Sequence, residues 1–255
     1  MDSSFLGVPD VSALVFLGLA IAPAFTAFFG VVTGAAGGLL LLALLSLLFP
    51  PAVLIPLHTV VQMGAGASRI VIFWRYVMRW TVLPFLIGSV AGAAVGAQIF
   101  VSLSTTLLQG ILGAFIIVIT WLPGFARFGR QNRRFAVIGF GATFLGMFVS
   151  ATGTLIAPFV MGASSDRRNY AATFAALMTI VHTAKVVAFG LLGVALWAYV
   201  PLMAAMIAAA ALGNWVGSRV LTRMPERGFR LVFQLLLTLL SLRLLWRAAR
   251  DAGLF

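Results

Sequence analysis

Ten apolar stretches, separated by short polar or basic breaks, make up most of the chain: residues 11–33, 37–49, 52–74, 81–101, 105–123, 134–149, 152–163, 169–192, 198–220 and 227–249. None alternates apolar with polar positions as a half-buried strand would, so each is expected to be helical. A helix needs roughly 20 apolar residues to cross a ~30 Å hydrocarbon core. The second, sixth and seventh stretches fall short of that, and at ~1.5 Å per residue 37–49 and 152–163 reach only about halfway. Each of these two follows a break of small residues, Gly34-Ala-Ala-Gly37-Gly38 and Ser150-Ala-Thr152-Gly153-Thr154. They are expected to be half helices or re-entrant segments. The fold predicted is an all-α polytopic membrane protein with about eight transmembrane helices plus broken or half helices, eight to ten segments in all.

The pattern also repeats. Leu57-His58-Thr59 through Ala67-Ser68-Arg69 is echoed by Ala171-Ala172-Thr173 through His182-Thr183-Ala184-Lys185, which sets Arg69 and Lys185 116 residues apart. The same offset lays Gly30, Gly34 and Gly37 on Gly146, Ser150 and Gly153, while Gly92-Ala-Ala-Val-Gly96 is echoed at an offset of 121 by Gly213-Asn-Trp-Val-Gly217. Two membrane repeats are therefore expected, 1–125 and 132–255, joined by a basic cytoplasmic loop at 124–134.

Basic residues set the orientation, because cytoplasmic loops carry the Lys and Arg excess. Arg75 and Arg79, Arg127 through Arg134, Arg167 and Arg168, and Arg219 through Arg230 fall on one side when the segments are threaded in order. The loops at Phe49-Pro50-Pro51, Ser102-Leu-Ser104 and Leu192-Gly-Val carry none. The N-terminus is then outside, and the repeats have opposite topology, as in carriers whose site lies at the repeat interface. The threading also puts the Arg243, Arg247 and Arg250 stripe outside, which fits the pattern poorly; snorkelling to head groups is one explanation, and a last helix threaded differently is the alternative. Met1 to Asp10 lacks the basic start of a signal peptide, so the first apolar stretch is expected to be retained.

Composition narrows the chemistry. A hydrophobic share of 62%, a charged share of 9% and a mean hydropathy of +1.13 exclude a soluble globule. The net charge of +12 resides largely in short loops and reports topology rather than nucleic-acid binding. With no cysteine and only two histidines, disulfides, thiolate catalysis and most metal sites are excluded, and neither metal nor cofactor is expected. The five acidic residues, Asp2, Asp10, Asp166, Glu226 and Asp251, lie at termini or in loops. A carboxylate proton relay or cation site is thus not expected, and a path for anions would meet no buried repulsive charge. No phosphate-binding loop, His-Glu-x-x-His or Gly-x-Ser-x-Gly motif is present, so no enzymatic activity is expected.

Arg69 and Lys185 are the main charges within apolar stretches, and each costs at least ~2.5–3.5 kcal/mol near a bilayer centre. They are candidate stations for an anion on either side of the midplane, with snorkelling to head groups as the competing reading. His58, Gln62 and Arg69 share one helix stripe, as do Met178, His182 and Lys185. The two histidines are the only side chains whose unperturbed titration suits proton coupling. Each break offers a helix N-terminus with unpaired N–H groups and a positive dipole end. Gly37, Gly38 and Gly153 would contribute backbone donors there, and Ser150, Thr152 and Thr154 hydroxyls. Gly92, Gly96, Gly213 and Gly217 are expected to serve close helix packing, and Gln98 and Asn214 to bond between helices.

These residues carry a resemblance. A Gly-x-x-Gly-Gly break before an apolar half helix, its repeat near mid-chain with a proline after it (Gly153-Thr-Leu-Ile-Ala-Pro158), and paired Gly-x-x-x-Gly segments resemble the TauE/SafE sulfite exporter family over nearly the whole chain. The second break departs from the family pattern in lacking the run of glycines, and the first in having Leu42-Ala43 where the proline would fall. The resemblance implies a multi-pass carrier of the bacterial inner membrane for sulfite, sulfoacetate or related sulfur-containing or organic anions. The combined expectation is a secondary transporter, an exporter working by alternating access; the alternatives are an anion channel or a non-transporting assembly or sensor protein. Its partners would be a small anion and the lipid bilayer, not nucleic acid, with a homo-oligomer left open. Export needs no ATP in principle, since an anion leaving an inside-negative cell gains ~2.3 kcal/mol per charge per 100 mV.

Overall fold

The computed structural model describes residues 4–33, 36–100, 102–121, 132–150, 152–164, 166–220, 238–239, 242–243 and 245–253. Among them run helices α1 (Ala13–Thr33), α2 (Ala36–Leu45), α3 (Pro51–Phe73), α4 (Val82–Phe100), α5 (Thr105–Trp121), α6 (Asn132–Val149), α7 (Gly153–Ala163), α8 (Arg167–Leu191) and α9 (Val200–Val220). Short 3₁₀ turns precede α4 and α9. No strand occurs among the described residues, only two isolated bridges near the N-terminus. The last segment is described in part, helical at 238–239, 242–243 and 245–251. Arg127 and Arg130 of the expected loop at 124–134 lie outside the described residues, as do Arg223, Glu226, Arg227 and Arg230.

The first nine apolar stretches become helices within a few residues of their expected ends, and most of the tenth lies outside the described residues. Four segments, Ala13–Val32, Arg79–Phe100, Arg167–Leu191 and Trp197–Val220, are long and apolar enough to cross a membrane. α3 has 23 residues and comparable reach, but its polar stripe lowers its hydropathy. α6 begins at Asn132, two residues before the expected start, while α2 and α7 are 10 and 11 residues long, the half helices predicted. Local signals explain the starts. Pro51 opens α3 at a position where its missing N–H costs nothing, and Asp166 caps α8 by accepting from the Arg168 N–H at 2.7 Å.

Apolar side chains face outward as well as filling the core. Leu14, Ile21 and Phe25 on α1, Leu83 and Ile87 on α4, and Leu212 and Trp215 on α9 face outward, while His58, Thr59, Ser150, His182, Lys185 and Asn214 are buried. Glycines set the two closest crossings. A Cβ at Gly88 or Gly92 of α4 would strike the Ala136 or Phe140 carbonyl of α6, and one at Gly213 of α9 would strike the Ala24 carbonyl of α1. Backbones that close require small residues.

Most neighbour contacts exchange in pairs, although the α6–α8 contact has no comparable α1–α3 counterpart among the described residues. Swapping α1 with α6, α2 with α7, α3 with α8 and α4 with α9 turns the α1–α9 contact into α6–α4, α3–α9 into α8–α4, α1–α2 into α6–α7 and α2–α3 into α7–α8. The α3–α8 and α2–α7 contacts map onto themselves.

Candidate functional site

α3 and α8 lie side by side at the middle of the bundle, and the N-termini of α2 and α7 meet them there. Between them is a cavity of about 50 Å³, lined by Gly30, Gly37, Gly38, His58, Gln62, Gly66, Arg69, Ser150, Gly153, Phe174, Met178 and His182, among others. A cavity needs roughly 10–15 Å³ to admit one water, so this one has room for a small occupant only. Many of these residues pair at the 116-residue offset: Gly37 with Gly153, His58 with Phe174, Gln62 with Met178, and Gly66 with His182.

The glycines at the breaks keep this space open. A Cβ at Gly37 would strike the Thr26 carbonyl and the Gly30 backbone; at Gly38 it would strike the Gln62 amide, and at Gly153 it would come 2.8 Å from the Phe174 ring. Gly30 sits against the tip of Arg69, where a Cβ would come 3.1 Å from Nη2.

Arg69 enters the cavity from α3 and is held from α9. Its Nη2 and Nε donate to Asn214 Oδ1 at 3.1 and 3.4 Å. The Asn214 amide nitrogen donates to the Ala65 carbonyl at 2.7 Å and to Ser68 Oγ at 2.8 Å. A carbonyl only accepts, so the amide cannot be reversed and its oxygen faces the guanidinium.

A second cluster lies at the junction of α6 and α7. Val149 ends α6, and Ser150 turns the chain with φ +57°, a left-handed value uncommon for serine. This turn aims Oγ at three groups: Lys185 Nζ at 2.9 Å, His58 Nδ1 at 3.0 Å and Thr59 Oγ1 at 3.2 Å. His58 Nε2 lies 2.8 Å from the Gly38 carbonyl, so Nε2 carries a proton and donates. His182 packs edge-on to His58 with ring centroids 6.2 Å apart, and its buried Nδ1 has no partner among the described residues.

The sequence-predicted residues divide accordingly. Arg69, Gly37, Gly38, Gly153, Ser150, His58, Gln62 and His182 line the cavity. Lys185 does not: it is fully buried behind Ser150, with Nζ 5.9 Å from the centre of the Phe189 ring. Thr152 is also buried away from the cavity, with its hydroxyl unpartnered among the described residues, and makes no side-chain cap bond to α7. The Thr154 side chain lies outside the described residues. Gly30, Phe174 and Met178 join the lining without having been singled out as site residues, and Asn214 makes the inter-helix bond expected of it while also holding Arg69. An amide in an otherwise apolar helix was the available signal for that second role.

Chemically, the cavity joins a guanidinium, a hydroxyl, an amide and two imidazoles to the starts of two half helices. Neither Arg69 nor Lys185 has a carboxylate partner among the described residues. A buried cation without a counter-charge favours an anion in its place.

No curated protein and no solved structure matches the chain. The family model "Sulfite exporter TauE/SafE" matches residues 19–244, a span that holds both breaks, both basic residues and Asn214. Such a span, covering most of the sequence, places the chain in the TauE/SafE sulfite exporter family.

Proposed function

We propose that the protein exports a small anion, sulfite or a compact relative of it, across the bacterial inner membrane by alternating access. Membership of a sulfite exporter family supports a multi-pass membrane transporter rather than an enzyme. The observation that carries the anion reading is the meeting of both half-helix N-termini with Arg69 in one cavity that contains no carboxylate. An anion there replaces its lost hydration with the guanidinium, Gln62, the imidazole edges and the positive ends of α2 and α7. A volume of about 50 Å³ suits a compact oxyanion better than an extended organosulfonate.

Alternating access is supported by the exchange of helix contacts between the two halves and by cavity-lining pairs at the repeat offset. Repeats of opposite topology would let one packing arrangement open to either side. The same reading puts the N-terminus outside. The glycine crossings of α4 with α6 and of α9 with α1 are smooth surfaces on which the halves could rock.

The test is efflux of radiolabelled sulfite from proteoliposomes under an imposed potential. Saturable efflux that falls sharply in Arg69→Ala supports the carrier. Unsaturable flux would make the protein a channel, and wild-type flux equal to that of empty vesicles would remove sulfite as substrate.

A further inference from the structure

We propose that Ser150 relays a proton between Lys185 and His58, so that the cavity wall gains a positive charge when an anion enters; this deepens the anion-carrier reading and rests on it. Three heavy atoms form the line, with Lys185 Nζ 2.9 Å from Ser150 Oγ and Ser150 Oγ 3.0 Å from His58 Nδ1. The Gly38 carbonyl holds the other imidazole nitrogen as a donor at 2.8 Å. Only Nδ1 can change its protonation, and Nδ1 faces the serine.

A hydroxyl both donates and accepts, so the same positions satisfy two charge states. In the first, the Lys185 ammonium donates to Ser150, and Ser150 donates to a neutral His58. In the second, an Nζ–H bond has broken and its proton has joined Ser150 Oγ, while the original Ser150 O–H bond has broken and that proton has joined Nδ1. Lys185 is then a neutral amine accepting from Ser150, and His58 is an imidazolium donating to Ser150 and to Gly38. No proton is taken from solvent, and every hydrogen bond of the line is kept in both states.

Lys185 is the one group placed to give Ser150 a proton. Thr59 donates its own proton to the Ile55 carbonyl at 2.7 Å, so it supplies none to Ser150 and vies with His58 for the serine proton only as the longer acceptor, at 3.2 Å. Ser150 lies 3.5 Å from that same carbonyl, a much weaker alternative to His58. The charged and titratable groups facing His58 are Lys185 through Ser150 and His182 on α8, with Arg69 eleven residues further along α3; α2 offers only a carbonyl. Lys185 is walled off from the cavity, so its charge reaches an anion most directly through the serine. The left-handed Ser150 backbone, a conformation uncommon for a residue with a Cβ, occurs where this hydroxyl is needed.

The experiment is ¹⁵N-histidine NMR of the protein in nanodiscs, titrated with sulfite at constant pH. His182→Gln assigns the two rings. The expected result is that the His58 signals move from a neutral-tautomer pattern to an imidazolium pattern as sulfite saturates wild type. In Ser150→Ala and in Lys185→Met, sulfite would still perturb other signals while His58 stays neutral. Ser150→Gly, which also relieves the left-handed backbone, covers the case in which the alanine variant fails to fold. A neutral His58 in sulfite-saturated wild type, or an imidazolium in the serine variants, overturns the relay and leaves the anion carrier standing. Absence of any sulfite-induced shift together with absence of efflux overturns the carrier and the relay with it.

Discussion

Asn214→Ala gives the sharpest test of how the cavity holds its charge. The wild-type amide is fully buried, and its oxygen takes two donors from Arg69 at 3.1 and 3.4 Å. Removing it leaves Ala65 O in the α3 hydrogen-bond ladder, and Ser68 still donates to that carbonyl at 2.8 Å. The group left without a partner is therefore the guanidinium. A hydrogen bond to a charged group is worth about 1.5–3 kcal/mol. If that restraint is what aims Arg69 into the cavity, the affinity for sulfite falls about 10- to 150-fold, at 1.4 kcal/mol per tenfold change. Asn214→Asp separates position from charge, because its carboxylate would hold Arg69 at least as firmly but cancel the charge that attracts the anion. Concentration-dependent efflux from proteoliposomes should show a raised half-saturation for the alanine variant and near-complete loss for the aspartate variant. Half-saturation within twofold of wild type in both would refute the claim that Asn214 presents Arg69 to the substrate.

Lys185→Met should raise the melting temperature of the solubilised protein, because a buried cation without a carboxylate gives way to an apolar side chain of similar length, a gain of about 1–4 kcal/mol by analogy with buried ion pairs. It should also lower sulfite efflux, and a lower melting temperature would show that the ammonium is structurally required. Gly213→Ala drives a Cβ into the Ala24 carbonyl at the α1–α9 crossing and should cost about 1–3 kcal/mol or more, measured as lost monodisperse protein and a lower melting temperature. Gly18→Ala has open space at its Cβ and should gain about 0.5–1 kcal/mol by stiffening a helix, so equal effects at the two sites would contradict the crossing geometry. Gly38→Ala meets only the movable Gln62 amide at its Cβ; it should fold normally yet bind sulfite more weakly by titration.

Much of this arrangement was legible before any coordinates. The length of the apolar stretches gave the helices, and the small-residue breaks gave the half helices at α2 and α7, because a run that short after Gly-Gly or Thr-Gly has few other uses in a membrane. The polar stripe of α3 was legible from spacing, and its members His58, Gln62 and Arg69 do share the cavity. The α8 stripe was legible only in part: Met178 and His182 reach the cavity, but Lys185, less than a turn beyond His182, does not. Helical spacing fixes a face, whereas the reach of a long flexible side chain depends on the hydrogen-bond partner that captures its end. That partner, Ser150, comes from another segment, and its capture of Lys185 depends on a backbone turn that no spacing reveals.

The same reasoning accounts for the unequal fates of two residues at equivalent repeat positions. Opposite Lys185 the break carries Ser150, whose hydroxyl ties the ammonium down at 2.9 Å. The position 116 residues earlier is Gly34, which has no side chain to do the same for Arg69. Arg69 is held instead by Asn214, and the residue 121 positions before Asn214 is Ala93, which offers Lys185 nothing to bond. Two substitutions between the repeats, glycine against serine at the break and alanine against asparagine at the glycine crossing, thus leave one cation presented to the cavity and one held behind it. A carrier needs its anion bound firmly enough to load and weakly enough to leave. Two cations both fixed on a cavity of about 50 Å³ would work against release. One fixed cation and one reachable only through a hydroxyl allow the charge around the anion to change during the cycle, which is why the asymmetry at Ser150 and Asn214 matters more to the proposed mechanism than the symmetry of the helices around it.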